Sequence, residues 1–339
     1  MAVLVSHGFP LSLGKGVPEP LEATLGMKLG SIAVDVFFIT SGYLVTSSLA
    51  LRQDAREFLW ARFLRIYPGI FVMLALTVFL LGTCMSTLPL AGYFHSKMVY
   101  AYLARCGTLV LGVAYPLPGV FESNPYPDAV NGSLWTMPYE LRMYGMLALV
   151  WLAMRIAGSA RTRAFFATIC LFALGSFAYV LIDHFRVHST LPFAHLFFMF
   201  FVGASCYALR ERVVLSARLF LPCALILVAC AWNQDMFYVA YICTLPYLLL
   251  YLAYVPRGKL REFNRLGDYS YGLYIYAFPV EQTVAALRPG AAPGELVLIG
   301  APVTLALAFV SWHLVEKRAL ALKGGLRAAG TAQPAAVEG

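Results

Sequence analysis

Residues 31–50 read SIAVDVFFITSGYLVTSSLA, and residues 51–68 read LRQDAREFLWARFLRIYP. The first stretch carries a single charge, Asp35, and is as long as a helix that crosses a bilayer, roughly 20 residues. The second begins a run of arginines, the pattern of a chain leaving the hydrocarbon on its cytoplasmic side. A soluble helix of that length needs a polar face, and residues 31–50 have none. This pair of stretches sets the expectation for the remainder: membrane-spanning helices separated by basic loops.

The composition agrees. Of 339 residues, 60% are apolar and only 12% charged, about half the charged fraction of soluble domains. Mean hydropathy is +0.74. So few charges cannot cover the surface of a soluble domain, and disordered or disulfide-scaffold chains are excluded on the same ground. Ten hydrophobic segments follow: 1–14, 28–51, 66–83, 134–154, 164–182, 191–209, 219–235, 237–255, 269–287 and 296–314. The expected fold is therefore an all-α polytopic integral membrane helix bundle of about ten transmembrane helices. An eleventh apolar stretch, 98–115, contains Arg105 and is flanked by glycines and prolines, which reads as a re-entrant or surface element.

Eighteen of the 25 lysines and arginines fall in one set of alternate loops and six in the other, with Arg142 inside a span. That bias makes the first set, with Arg62 and Arg65, cytoplasmic and places both termini in the cytoplasm. It also accounts for the net charge of +8 without nucleic-acid binding. Residues 1–322 read as one membrane domain. Residues 323–339, rich in Ala and Gly, read as a disordered cytoplasmic tail. The first segment resembles the outer half of a span and lacks the basic flank and cleavage site of a signal peptide. Seven cysteines show no CxxC spacing and no metal-ligand pattern; Cys84 and Cys106 could meet in one outer loop, but free thiols are the simpler reading.

Ionisable groups inside spans are costly and point to function. His7, in MAVLVSHGFP, could serve as a base or acyl carrier near neutral pH, or simply bond within the bundle. Asp35 reads as a helix cap or structural partner, or as an acid beside a catalytic His. Glu281 and Glu316 fall near span ends, where water is close. Arg62 and Arg65, three apart, share a helix face, and their guanidinium forks suit phosphates as well as they suit topology; Pro68 then marks the start of the next span. In NGSLWTMPYELRMY (131–144), Trp135 and Tyr139 could be interface anchors or a stacking surface for a sugar, with Glu140 and Arg142 on different faces. Asn131 opens a three-residue glycosylation sequon, a weak pattern. In LGDYSYGLYIYAFPV (266–280), Asp268 or Ser270 is placed to cap a helix whose Tyr271 and Tyr274 share a face. Walker A, GxSxG, HExxH and dinucleotide motifs are missing.

These stretches, with SWHLVEKRAL (311–320), resemble in type and order the acyltransferase-3 family of membrane-bound acyltransferases. The resemblance implies transfer of an acyl group, often acetyl, from cytoplasmic acyl-CoA as co-substrate to a hydroxyl of an extracytoplasmic glycan such as exopolysaccharide or O-antigen, in the bacterial inner membrane. It implies that His7 is the family's essential histidine and that Arg62 and Arg65 serve the acyl-CoA side, and it singles out Glu140. The mechanism expected from these residues has Asp35 or Glu140 orienting His7, with Trp135, Tyr139 and Arg142 on the acceptor's path. The family carries an arginine eleven residues before its histidine, a position that here precedes Met1. From the spans and buried charges alone, a transporter or flippase of a glycan or its lipid carrier is the alternative.

Overall fold

A computed structural model describes residues 1–127, 129–187, 192–256 and 267–324. It is a helix bundle with no strand among those residues beyond one isolated bridge, Ser86 to Val120. The principal helices are α1 (Ala2–Leu13), α2 (Leu29–Arg52), α3 (Ala55–Ala75), α4 (Lys97–Thr108), α5 (Met137–Ala153) and α6 (Arg161–Ile182). They continue as α7 (Pro192–Ala208), α8 (Ala217–Ala229), α9 (Gln234–Tyr254), α10 (Ser270–Leu287) and α11 (Pro293–Ser311). Each of the ten expected segments falls on one of these helices. Among the described residues, six helical stretches are long and apolar enough to cross a membrane: Leu29–Arg52, Ala55–Met85, Gly132–Gly158, Arg161–Val187, Gln234–Tyr254 and Pro293–Ala321. Three shorter apolar helices, Ala2–Leu13, Pro192–Ala208 and Ala217–Trp232, accompany them.

The outside of the bundle is apolar. Leu171, Leu174, Leu225 and Leu298 are 65–77% exposed, a surface that water would not tolerate over such an area and lipid would. The inside packs through small residues. A Cβ on Gly42 of α2 would stand 1.9 Å from the Phe200 carbonyl oxygen of α7, and one on Gly203 would stand 2.0 Å from that of Ile39. The two glycines let these backbones touch, as helix pairs in lipid favour.

Several local expectations change. Pro68 does not begin a helix: α3 starts thirteen residues earlier at Ala55, where the Asp54 carboxylate accepts from Arg56 N at 2.6 Å. Satisfied backbone bonds on either side and the apolar surroundings carry the helix through the proline. Asp35 lies inside α2 and is 2% exposed, so it is no cap. Glu281 and Glu316 are not near water; both are buried. Glu316 is turned inward by a π-helical turn, Trp312–Glu316, a distortion found often at functional sites. Asn131 is fully buried and donates to the Ile275 carbonyl at 2.9 Å, which removes it as a glycosylation acceptor. Cys84 is exposed, Cys106 buried, and neither is bonded to the other. The 98–115 stretch is α4, with Val99, Tyr102 and Cys106 buried, followed by loop from Leu109.

Candidate active site

Helix α1 carries His7 into the bundle between α2, α10 and α11. The His7 Nδ1 atom is buried, 3.7 Å from Glu281 Oε2, and the imidazole meets the Phe278 ring edge-on at 5.0 Å. Neither Glu281 oxygen has a hydrogen-bond partner, and Glu281 is 0% exposed. At 3.7 Å the two groups are too far apart for a hydrogen bond, yet Glu281 is the acid that stands next to the ring. The acid facing His7 is thus Glu281, neither Asp35 nor Glu140.

Two cavities meet beside this pair. The first, about 460 Å³, opens among the loops expected on the outer side; His7, Lys15, Glu22, Tyr126, Trp135 and Tyr274 line it. The second, about 520 Å³, runs along α2 from Ala33 to Val45 and reaches Arg62, Arg65, Glu140 and Lys323. Twelve residues of helix correspond to about 18 Å. Val3, Val34 and Tyr274 belong to both walls, so the cavities abut one helical turn from His7.

The second cavity is cationic at its far end. The Arg65 guanidinium holds Asp268 Oδ2 at 2.7 Å and lies 3.9 Å from Glu316 Oε2, and it rests on the Tyr271 ring at 5.5 Å. Asp268 also accepts from Ser270 N at 3.3 Å at the start of α10, while the N-cap position itself is Tyr269, neither of the two residues expected there. Arg62 lies over the Tyr144 ring at 5.8 Å, its Nε buried without a hydrogen-bond partner. Tyr144 Oη donates to Glu140, which faces this cavity and not His7. Lys323, at the start of the expected tail, is held in a 3-10 turn, Leu322–Gly324, and lines the same wall. Partial burial and the neighbouring guanidiniums of Arg62, Arg65 and Arg52 push its ammonium down to about 8, with Asp268 acting in the opposite sense. Residues 325–339 of the tail lie outside the described residues.

The remaining expected residues divide. Trp135 lines the outer cavity and meets Tyr139 edge-on at 6.1 Å. Tyr139 stands behind it, against Phe193, and Arg142 is exposed beside Tyr139 at 5.5 Å; neither lines the two cavities. Asp35 pairs with a different histidine, His195, at 2.9 Å. Sequence reasoning passes over His195, although the rule that singles out His7, an ionisable group within a span, applies equally to LPFAHLFFMFF (191–201). Glu281 lies within the expected 269–287 span and carries the same signal, set aside there for its nearness to the span's end; for Lys323 the sequence holds none, because only the fold of the residues after α11 brings it inward.

A family model described as an acyltransferase domain, acyltransferase 3, matches residues 1–313. The chain is 30% identical over 350 aligned positions to an O-acetyl transferase of Shigella phage Sf6, covering 94% of this chain and 92% of that protein. It is 29% identical to nodulation protein 10 of Rhizobium leguminosarum bv. viciae, covering 96% and 91%. No solved structure matches it. With the match running over nearly the whole chain, this protein belongs to the acyltransferase-3 family and is an acyltransferase.

Proposed function

We propose that the protein is an O-acetyltransferase of the bacterial inner membrane that takes an acetyl group from cytoplasmic acetyl-CoA and places it on a hydroxyl of an extracytoplasmic glycan. The observation that carries this reading is the pair of abutting cavities, with His7 on the wall of the first, one helical turn from where they meet. One has guanidinium and ammonium groups at its far end and suits the phosphates of a CoA thioester. The other is lined by aromatic rings and mixed charge and suits a sugar. The name of the phage relative, an O-acetyl transferase, supports acetyl as the group moved.

In this reading Arg62, Arg65 and Lys323 hold the CoA phosphates. The pantetheine arm extends along α2 past Ser41 and Glu140 to bring the thioester carbonyl to Val3 and Tyr274. The acceptor enters past Trp135. With Nδ1 buried against Glu281, Nε2 is the His7 nitrogen that takes the acceptor hydroxyl's proton. The oxygen attacks the carbonyl, the C–S bond breaks, and the proton passes from the imidazolium to the departing thiolate. Glu281 stabilises the imidazolium while it exists, the part a buried carboxylate plays in hydrolase triads. The thioester's polar body never leaves the protein for lipid, consistent with the cost of bare polar groups in hydrocarbon. The test is labelled acetyl-CoA supplied to inside-out membrane vesicles containing glycan: label is expected in alkali-labile ester on the glycan with wild type and not with His7→Ala at equal abundance. Label incorporated equally by both would refute the role of His7.

A further inference from the structure

Beside the outer cavity lies another, of about 610 Å³, and the two share Glu22, Lys28, Ser31, Val34 and Trp135 along one wall. Its far wall is a polar cluster the acyl-transfer reading leaves unused. Asp35 is buried and accepts from Tyr241 Oη at 2.9 Å and pairs with His195 Nε2 at 2.9 Å. The other ring nitrogen, His195 Nδ1, lies 3.1 Å from Tyr238 Oη. The His184 ring stacks on the Tyr238 ring, centroids 4.1 Å apart and 13° from parallel, and its Nε2 reaches Asp235 Oδ1 at 2.9 Å. Three elements, α2, α7 and α9, with the turn after α6, supply these groups, and the glycine contacts of α2 with α7 fix the first two in register.

We infer that this cavity is a second carbohydrate subsite, so that the acceptor is an oligosaccharide of two or more neutral sugars lying across Trp135, with its acylated unit at His7 and a flanking unit at Tyr238. The inference rests on the acyl-transfer reading for the identity of the first subsite. Its own support is the chemistry of the second. Both Asp35 oxygens and both His195 nitrogens are engaged within the protein. The chain of bonds therefore ends on Tyr238 Oη, which keeps one hydrogen-bonding direction: an acceptor when the imidazole is neutral, a donor when it is cationic. Either suits a sugar hydroxyl. The carboxylates of Asp35, Asp183, Asp235 and Glu22 outnumber the one lysine, Lys28, on these walls, which disfavours an anionic sugar by like-charge repulsion. Trp135, at the shared wall, offers an amphipathic ring to the link between units.

The test is retention of defined neutral and uronate-containing oligosaccharides, one to six units long, by the purified full chain in nanodiscs, together with labelled acetyl transfer by the same preparations. Wild type should retain neutral oligosaccharides of two or more units at least tenfold better than single sugars or the uronate series. Asp235→Asn and Tyr238→Phe should each reduce that retention severalfold, and His195→Gln at least tenfold. Asp235 is an exposed side chain, so its variant keeps the proposal testable should His195→Gln misfold. Equal retention of single sugars and longer chains, preference for uronates, or retention unmoved by Asp235→Asn and Tyr238→Phe would overturn the second subsite. Failure of the acyl-transfer reading is seen separately, as label transfer that survives His7→Ala.

Discussion

At the scale of single residues, the account depends on which acid faces which histidine. His7 is opposed by Glu281 and His195 by Asp35. Glu281→Gln keeps the shape and removes the acid that faces His7. It should lower kcat for acetyl transfer about 10²-fold or more while the KM for acetyl-CoA holds, as steady-state kinetics on vesicles will show. Asp35→Asn should leave kcat with a saturating donor within a few-fold, because its partner is elsewhere. Lys323 gives a pH signature. Its ammonium, lowered to about 8 by burial and nearby guanidiniums, is protonated below that pH and neutral above it. Donor phosphates stay anionic throughout, so KM for acetyl-CoA should rise between pH 7 and 9, and Lys323→Met should raise KM at pH 7 and flatten the profile. A profile equally steep in the variant would remove Lys323 from the donor site.

At the scale of helices, close backbone approach sets the geometry of the polar groups. α2 and α7 touch at Gly42 and Gly203, each about two turns from the Asp35–His195 pair. Gly203→Ala would place a methyl 2.0 Å from the Ile39 carbonyl oxygen, a backbone contact that no rotamer change relieves. Overpacking of this kind costs about 1–3 kcal/mol, read as a lower unfolding temperature in detergent. Gly145→Ala, in α5 with nothing within 4 Å of the added Cβ, should leave stability unchanged or slightly raised, since alanine is the better helix former. How far the sequence reveals the elements follows the same physics. Apolar length and arginine asymmetry are written along the chain, and each expected segment falls on a helix. Pro68 misleads because a proline that would end a helix in water is tolerated inside one where no water competes for the backbone.

At the scale of the whole molecule, the sequence makes the fold class legible, and it singles out His7 and the Arg62–Arg65 pair, which the structure places on the walls of the two cavities. It does not show that two cavities abut beside Val3. That relation joins α1, α2, α3 and α10, which are far apart along the chain, and no local pattern encodes it. The same holds for the burial of Glu281, which comes from the packing of α10 under α1 and α11. Sidedness is a whole-molecule property too. With Lys15 at the outer cavity and Lys323 at the cationic one, cysteines introduced at these two positions should react with a membrane-impermeant maleimide from opposite faces. Lys15→Cys should label in intact spheroplasts, and Lys323→Cys only in inside-out vesicles. Labelling of both from one face would contradict the arrangement.

The most direct measurement of the central claim is transfer of labelled acetyl from acetyl-CoA, added on the Arg62–Arg65 side of sealed vesicles, to glycan enclosed on the His7 side. The account predicts ester-linked label on the enclosed glycan with wild type and a loss of about 10²–10⁴-fold with His7→Ala at matched protein levels. Label that never reaches the enclosed glycan, or that reaches it equally in the variant, would contradict it.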